Sequence, residues 1–348
     1  MRPSDAPAQT AWPVGKLPAR SLQQLLSKLP QNDARVLLGP RFGEDAALLE
    51  AGDRCLVVAT DPVTFATDRI GWYAVHVNAN DVVTLGATPR WFFMVLLLPE
   101  RDATHELADA IVSDVVRTCE QLGVTVCGGH TEITPGLDRP IVVGQMIGEV
   151  SKSRVVRKDA VRMGDRVLLT RGVAIEGTAI LAREMRDLLV GRVDEATIDR
   201  AAGLLFEPGI GVTDAALAAL EAGIVRAMHD PTEGGVQSGL AELAAACGAS
   251  LRVHTDRIPV LPETRTICDV LGVDPLRLMA SGALLLVVPV SSVDPITTAL
   301  GARGIPVAVI AEIGTPTDTS RMLDPQGGRP LVPAERDELA RILGERKT

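Results

Sequence analysis

The sequence predicts a chain of α+β class (mixed α/β content) built as two domains, and three observations carry that expectation. Strand-like and helix-like segments alternate irregularly, unlike the regular strand–helix rhythm of a doubly wound sheet. A basic stretch from Ser151 to Arg166 interrupts the apolar pattern near mid-chain and reads as a boundary. The 348 residues, 46% hydrophobic and 23% charged, suffice for two cores, and no period of roughly 20–50 residues recurs to suggest a repeat array. The expected partition is a disordered tail over 1–15, an N-terminal domain over 16–152, a C-terminal domain over 153–330, and a closing helix and tail over 331–348.

Ala19–Leu29 has the spacing of a short helix, and Gly39–Ala47 (GPRFGEDAA) that of a loop with two glycines and adjacent carboxylates. Cys55–Thr60 reads as a strand running into Asp61 and Pro62. In Val75–Phe93 (VHVNANDVVTLGATPRWFF), Val75, Ala79, Val82 and Leu85 or Gly86 form an apolar helical stripe. Asn78 and Asp81 lie three apart and share a neighbouring face of that helix. Pro89 is expected to stop it, and Trp91–Leu98 (WFFMVLLL) to form a strand buried on both sides. Thr104–Leu122 reads as an amphipathic helix, Val124–Cys127 as a short strand ending in a Gly128–Gly129 turn, and Ile141–Val150 as another strand.

Beyond the basic stretch, strands are expected at Val167–Thr170, Ile224–Met228, Leu251–Val253, Leu284–Val288 and Val307–Ile313. Helices are expected at Glu176–Leu189, Glu195–Leu205, Thr213–Ala222, Gly234–Cys247 and Glu335–Leu343.

Composition narrows the function classes. A formal charge of −9 and 3% aromatics argue against a nucleic-acid or anionic-membrane partner. No apolar run approaches the roughly 20 residues of a membrane span, and Met1–Pro13 lacks the apolar region of a signal peptide. The five cysteines are scattered without a CxxC pair, which fits reduced core thiols in a cytoplasmic protein rather than zinc ligands or disulfides.

The chemistry-bearing residues gather at strand ends and glycine turns: Glu44 and Asp45, Asp61, Asp81, then His130 and Glu132 after the paired glycines. Widely spaced single carboxylates suit a hard cation such as Mg²⁺, which takes few protein oxygens and completes its shell on substrate phosphates. Each also has a plainer reading: Asp45 as a cap, Asp61 as a turn residue before proline, and Asn78–Asp81 as a solvated helix face. Two glycine turns, Thr170–Gly177 and His229–Gly235, precede helices whose free N–H groups suit a phosphate. Either is equally a capped helix start, with Asp230 or Thr232 as the cap. The GxGxxG and GxxxxGK[ST] fingerprints are absent.

Taken in order, these motifs resemble the aminoimidazole-ribonucleotide (AIR) synthase superfamily, which includes thiamine-monophosphate kinase, selenophosphate synthetase and the carbamoyl dehydratase HypE. Gly43–Ala47 (GEDAA) is similar to its GDDAA loop, and Thr60–Thr64 (TDPVT) to its aspartate-bearing strand end. Gly71–Phe92 resembles the metal-binding helix of the kinase and of HypE. Met228–Gly248 and Asp274–Pro289 resemble HypE stretches, so that the likeness runs from about Leu37 to about Ile313. The resemblance implies a homodimer whose N-terminal domains close a shared β-barrel, with ATP near the junction and Mg²⁺ on Asp45, Asp61 and Asp81. It implies transfer of the γ-phosphoryl group to an amide, carbamoyl or phosphate oxygen of a small-molecule or protein-borne acceptor. Asn78, Asn80, Gly172, Gly177, Asp230 and Gly235 would contact nucleotide or substrate, and His130 and Glu132 would be catalytic.

Three departures shape the expected acceptor. His130 stands where the family carries Asp, and Glu132, pointing the same way on an extended segment, can supply the missing carboxylate. HypE ends in a carbamoyl-accepting cysteine, whereas this chain ends Gly344–Thr348 and its last thiol is Cys268. Ile175-Glu176-Gly177 replaces the Asp-His-Gly of HypE, and Glu233 replaces an Arg. A different substrate is therefore expected. A small-molecule kinase and a non-catalytic ATP-binding scaffold or regulator stand as the alternatives.

Overall fold

The computed structural model describes residues 12 and 14–345. Most of the expected N-terminal tail, and Arg346–Thr348, lie outside the described residues. Val14 and Gly15, which the sequence places in that tail, are described and lie exposed against the second half: a Cβ on Gly15 would lie 3.5 Å from the Glu233 carboxylate.

Helix α1 (Ala19–Leu26) precedes a six-stranded sheet formed by β1 (Val36–Leu38), β2 (Ala47–Ala51), β3 (Arg54–Val63), β4 (Thr88–Pro99), β5 (Thr125–Thr134) and β6 (Ile141–Ser151). The spatial order is β1-β2-β3-β6-β4-β5, antiparallel except where β5 runs parallel to β4. Helices α2 (Ile70–Thr84) and α3 (His105–Leu122) pack against this sheet and each other. Helix α2 is buried on nearly every side, which explains why its apolar stripe is broad and its polar residues are few. Asn78, Asn80 and Asp81 are therefore interior groups, not a solvated face. Gly86, at φ +82°, ends the helix before Pro89, and Pro89 lies inside β4.

The second half is a seven-stranded sheet of β7 (Arg166–Thr170), β8 (Ala227–His229), β9 (Leu251–His254), β10 (Leu285–Val288), β11 (Val307–Ile313), β12 (Arg321–Asp324) and β13 (Gly327–Pro330). Its order is β13-β12-β9-β11-β7-β10-β8. Helices α4 (Ile175–Glu184), α5 (Arg186–Leu189), α6 (Glu195–Gly203), α7 (Thr213–Ala222), α8 (Gly235–Cys247), α9 (Pro262–Leu271), α10 (Val290–Gly301) and α11 (Glu338–Glu345) complete it. Both sheet faces are covered. Leu285 and Val287 join one core cluster with Leu240 of α8, while Leu284, Leu286 and Val288 join another with Ala215 of α7. Burial on both faces is why Leu284–Val288 reads as an unbroken apolar run, each such side chain contributing about 1.5–3 kcal/mol. A third cluster joins Val75 and Ala79 of α2 with Ile180 of α4, so the two halves share a core.

Candidate functional site

The site begins at a glycine that nothing else could replace without movement. Gly43 has φ +83°, and a Cβ there would lie 2.5 Å from the Glu242 carbonyl oxygen. That close approach delivers Glu44 and Asp45 against α8. Asp45 Oδ1 lies 2.6 Å from His229 Nδ1, and its Oδ2 accepts from Lys158 Nζ at 2.9 Å. Lys158 Nζ also donates to the Gly43 carbonyl and lies 3.4 Å from Glu44 Oε2. His229 Nε2 lies 3.3 Å from Glu242 Oε2, while Lys16 Nζ donates to Glu242 Oε1 at 2.9 Å. The Lys16 backbone N–H donates to Glu233 Oε2 at 2.7 Å. Alternating charges thus run through the interior. Burial opposes the charge on His229, but Asp45 overcomes it and raises the imidazole to about 9. Burial likewise opposes ionisation of Asp45, yet His229 and Lys158 hold it well below the usual carboxylate range.

Next to this neutralised group stand carboxylates with no ion pair of their own among the described residues. Asn78 fixes their relative position: its Oδ1 accepts from the Asp61 backbone N–H at 2.9 Å and its Nδ2 donates to the Ala74 carbonyl at 2.8 Å. Asp61 on β3 and Asp81 on α2 are thereby set facing one another. Burial, then the negative charges of Asp61, Asp230 and Asp45, push Asp81 well above the ordinary carboxylate value. Asp230 is raised well above its ordinary value, by burial and then Asp45, and neither of its buried oxygens has a partner among the described residues. Asp61 is raised as well, chiefly by burial.

Orphaned carboxylate oxygens of this kind fit a cation. No three carboxylate, imidazole or thiolate groups among the described residues stand ready to enclose an ion by themselves. That arrangement suits Mg²⁺, which accepts one or two carboxylates and completes its octahedron with water and phosphate oxygens.

Several expected contacts have other employment. The Asn80 side chain donates to the Ile210 carbonyl at 2.8 Å and accepts from the Val212 N–H at 2.9 Å, so it ties α2 to the second half. Asn78 is equally committed to backbone. Gly177 lies inside α4, where a Cβ would meet the Leu278 side chain at 2.5 Å; at Gly235 it would meet the Leu276 carbonyl at 2.4 Å. Gly172 faces the Pro259 carbonyl. These glycines permit close packing, and none of the three lines the cavity described below.

His130 and Glu132 do point the same way, with Nε2 and Oε2 3.2 Å apart, but both are exposed on β5. Gly129 aligns through Met94 and Gly144 with Asp61, three strands away, a span of roughly 14 Å at the usual strand spacing. Within one chain His130 is therefore outside the carboxylate cluster. The paired glycines are strand, not turn: a Cβ on Gly129 would fall 1.8 Å from the Met94 carbonyl oxygen.

A cavity of about 650 Å³ opens beside the carboxylates, bordered by Asp61, Phe65, Glu176, Glu233, Met279 and Ser281 among others. Its size suits a small-molecule ligand. Lys16, Lys158, His229 and Glu242 all belong to this region, and none was among the residues expected to carry chemistry; Glu176, met in the sequence only as a departure from HypE, joins them. His229 sits in the HDPTEGG turn, the one available signal; Lys158 is masked by the basic residues around it.

Residues 43–150 match the family model described as AIR synthase related protein, N-terminal domain, and residues 162–323 match its C-terminal domain. The chain belongs to the AIR synthase related family. Carbamoyl dehydratase HypE of Azotobacter vinelandii is 30% identical over 339 residues, covering 90% of this chain and 93% of that protein. A crystal structure of the hydrogenase maturation protein HypE in complex with ATP superposes with a TM-score of 0.70 at 24% identity, covering 92% and 93% of the two chains. Thiamine-monophosphate kinase of Stenotrophomonas maltophilia superposes with a TM-score of 0.65 at 20% identity, covering 88% and 94%. The two AIR synthase related domains account for the two-domain mixed α/β architecture, and the HypE relative for the sequence likeness. The shared barrel of the family resemblance has no counterpart in the single chain, whose sheets are both open.

Proposed function

We propose that this protein is an ATP- and Mg²⁺-dependent, HypE-like enzyme that activates an amide, carbamoyl or phosphate oxygen by phosphoryl transfer. One observation carries the reading: Asp61, Asp81 and Asp230 crowd beside the ion-paired Asp45, and Asp61 borders a ligand-sized cavity. One or two of Asp61, Asp81 and Asp230 would hold Mg²⁺, with water and the phosphates completing its shell, and Asp45 would border them from its ion pair. The bound ion would neutralise phosphate charge. The chain's own contribution is positioning, which is most of what phosphoryl transfer requires. Asn78 holds the carboxylate-bearing strand and helix in register, while Lys158 and His229 lock Asp45.

The reading extends to a cytoplasmic homodimer of two-domain subunits, the domains spanning about 16–152 and 153–330. Strand β5 is an unpaired edge that exposes Val126 and Ile133, and edges of that kind invite a second chain. In such a dimer His130 and Glu132 would serve the partner's site, and the two edges would close the barrel.

The test is binding of Mg-ATP to the wild type and to Asp81→Asn, followed by thermal unfolding. A stabilisation that needs Mg²⁺ and is lost in the variant is the expected result; no shift in either protein would sink the nucleotide assignment.

A further inference from the structure

Glu176 occupies the second position of α4, is 5% exposed, and borders the 650 Å³ cavity. A buried carboxylate is costly unless a cation or N–H donors meet it. The Glu176 backbone N–H donates to the Ser281 carbonyl at 3.3 Å, Ser281 Oγ has no hydrogen-bond partner among the described residues, and burial pushes the Glu176 carboxyl up to about 7. The two cations on the cavity wall are engaged elsewhere, Lys16 with Glu242 and Arg139 with Asp138. The remaining charged groups are acidic, Glu176, Asp61 and Glu233, beside the hydroxyls of Thr64, Thr232 and Ser281, and the walls between are apolar, with Phe65, Ile180 and Met279. An anion that brings no cation with it would meet like charge in this space. A group bearing N–H bonds would satisfy the carboxylate while its body rests on the apolar walls.

We propose that Glu176 determines specificity, selecting an acceptor that presents an amine, amidine or amide N–H group and rejecting phosphate esters and carboxylates. The word acceptor rests on the ATP-dependent reading above; the preference of the cavity does not. Glu176 acts here by direct contact with the ligand, through hydrogen bonds that an N–H donor makes and an oxyanion cannot.

Three near-isosteric probes test it: benzamidine (a cationic donor), benzamide (a neutral donor) and benzoate (an anion). Calorimetric titration of the wild type should show benzamidine binding roughly tenfold or more tighter than benzoate, with benzamide between them. Glu176→Gln should bring benzamidine and benzoate within about threefold of each other. Benzoate binding as well as benzamidine to the wild type, or no binding of either N–H donor, would overturn the proposal without recourse to any variant. So would a Glu176→Gln protein that folds and keeps the wild-type ranking. If the variant instead weakens Mg-ATP, Glu176 reads the nucleobase and the proposal fails. Mg-ATP titrated into the same wild-type sample separates the two claims: failure to bind it removes the nucleotide reading, while a benzamidine preference lost in Glu176→Gln still assigns the cavity.

Discussion

Replacing Asp230 by Asn separates ligand-binding cost from structural worth. Both Asp230 oxygens are buried without partners, and Asp45 and Asp61 add like charge. An unmet buried polar or charged group costs about 1–3 kcal/mol, and the isosteric amide removes the charge without altering the packing. Asp230→Asn should therefore unfold later than the wild type in the absence of ligand, by about 1–3 kcal/mol. At about 2–4 °C per kcal/mol for domains of this size, that is roughly 2–12 °C in Tm. With Mg-ATP the order should invert. A ligand at a hundredfold its Kd adds about 2.7 kcal/mol to the wild type, and the variant, lacking a metal-facing carboxylate, should gain little. Scanning calorimetry with and without Mg-ATP gives both numbers. A variant less stable than wild type when free, or one showing the full Mg-ATP shift, would refute the reasoning.

Lys158→Met strips the cation from buried Glu44 and Asp45 and should cost about 3–5 kcal/mol in urea unfolding, whereas Arg35→Ala, breaking an exposed pair with Asp33, should leave the midpoint unchanged. Because the His229 pKa is raised to about 9, its contribution is complete below about 6.5, the unfolded value, and disappears as pH rises through about 9. Unfolding free energies measured at pH 7 and 9.5 should fall accordingly, and His229→Asn should flatten that part of the profile. Asn80→Ala leaves the Ile210 carbonyl and Val212 N–H unsatisfied in the interior, at about 2–5 kcal/mol, read by chemical denaturation. Gly129→Ala forces β5 away from the Met94 carbonyl and should abolish self-association, measured by sedimentation, if β5 is the pairing edge.

Long apolar segments were legible because burial writes a period. Thr213–Ala222 and Val307–Ile313 have the observed bounds, and Thr104–Leu122 differs by one residue. Among the elements that escaped notice, β1 and β2 are short strands flanking the glycine loop, and α10 carries Pro295 within an otherwise unremarkable run. The glycine pair at Gly128 was misread for a different reason, since glycine marks a close backbone approach as readily as a turn. Within the site, Asp45, Asp61, Asp81 and Asp230 could be picked out as acids at a glycine loop, a strand end, a helix and a turn. The cations beside Asp45 could not. Lys158 looks like any member of a surface basic run until tertiary contact buries it at 3% exposure. Glu176 was visible only as a departure from the Asp-His-Gly of HypE, and the cavity it borders gives that departure a place.

Three polar residues within a single turn of α2 face three different bodies: Asn78 the strand β3, Asn80 the loop at residues 210–212, and Asp81 the acidic group. The helix is thus an axle on which one half of the molecule, the other half and the charged centre are all mounted. Rotating the second half about any axis away from Asn80 would drag the 210–212 loop off its amide. A chimera that takes its second half from a relative should keep its alignment of carboxylates only if residues 210–212 still present one carbonyl and one N–H to that asparagine.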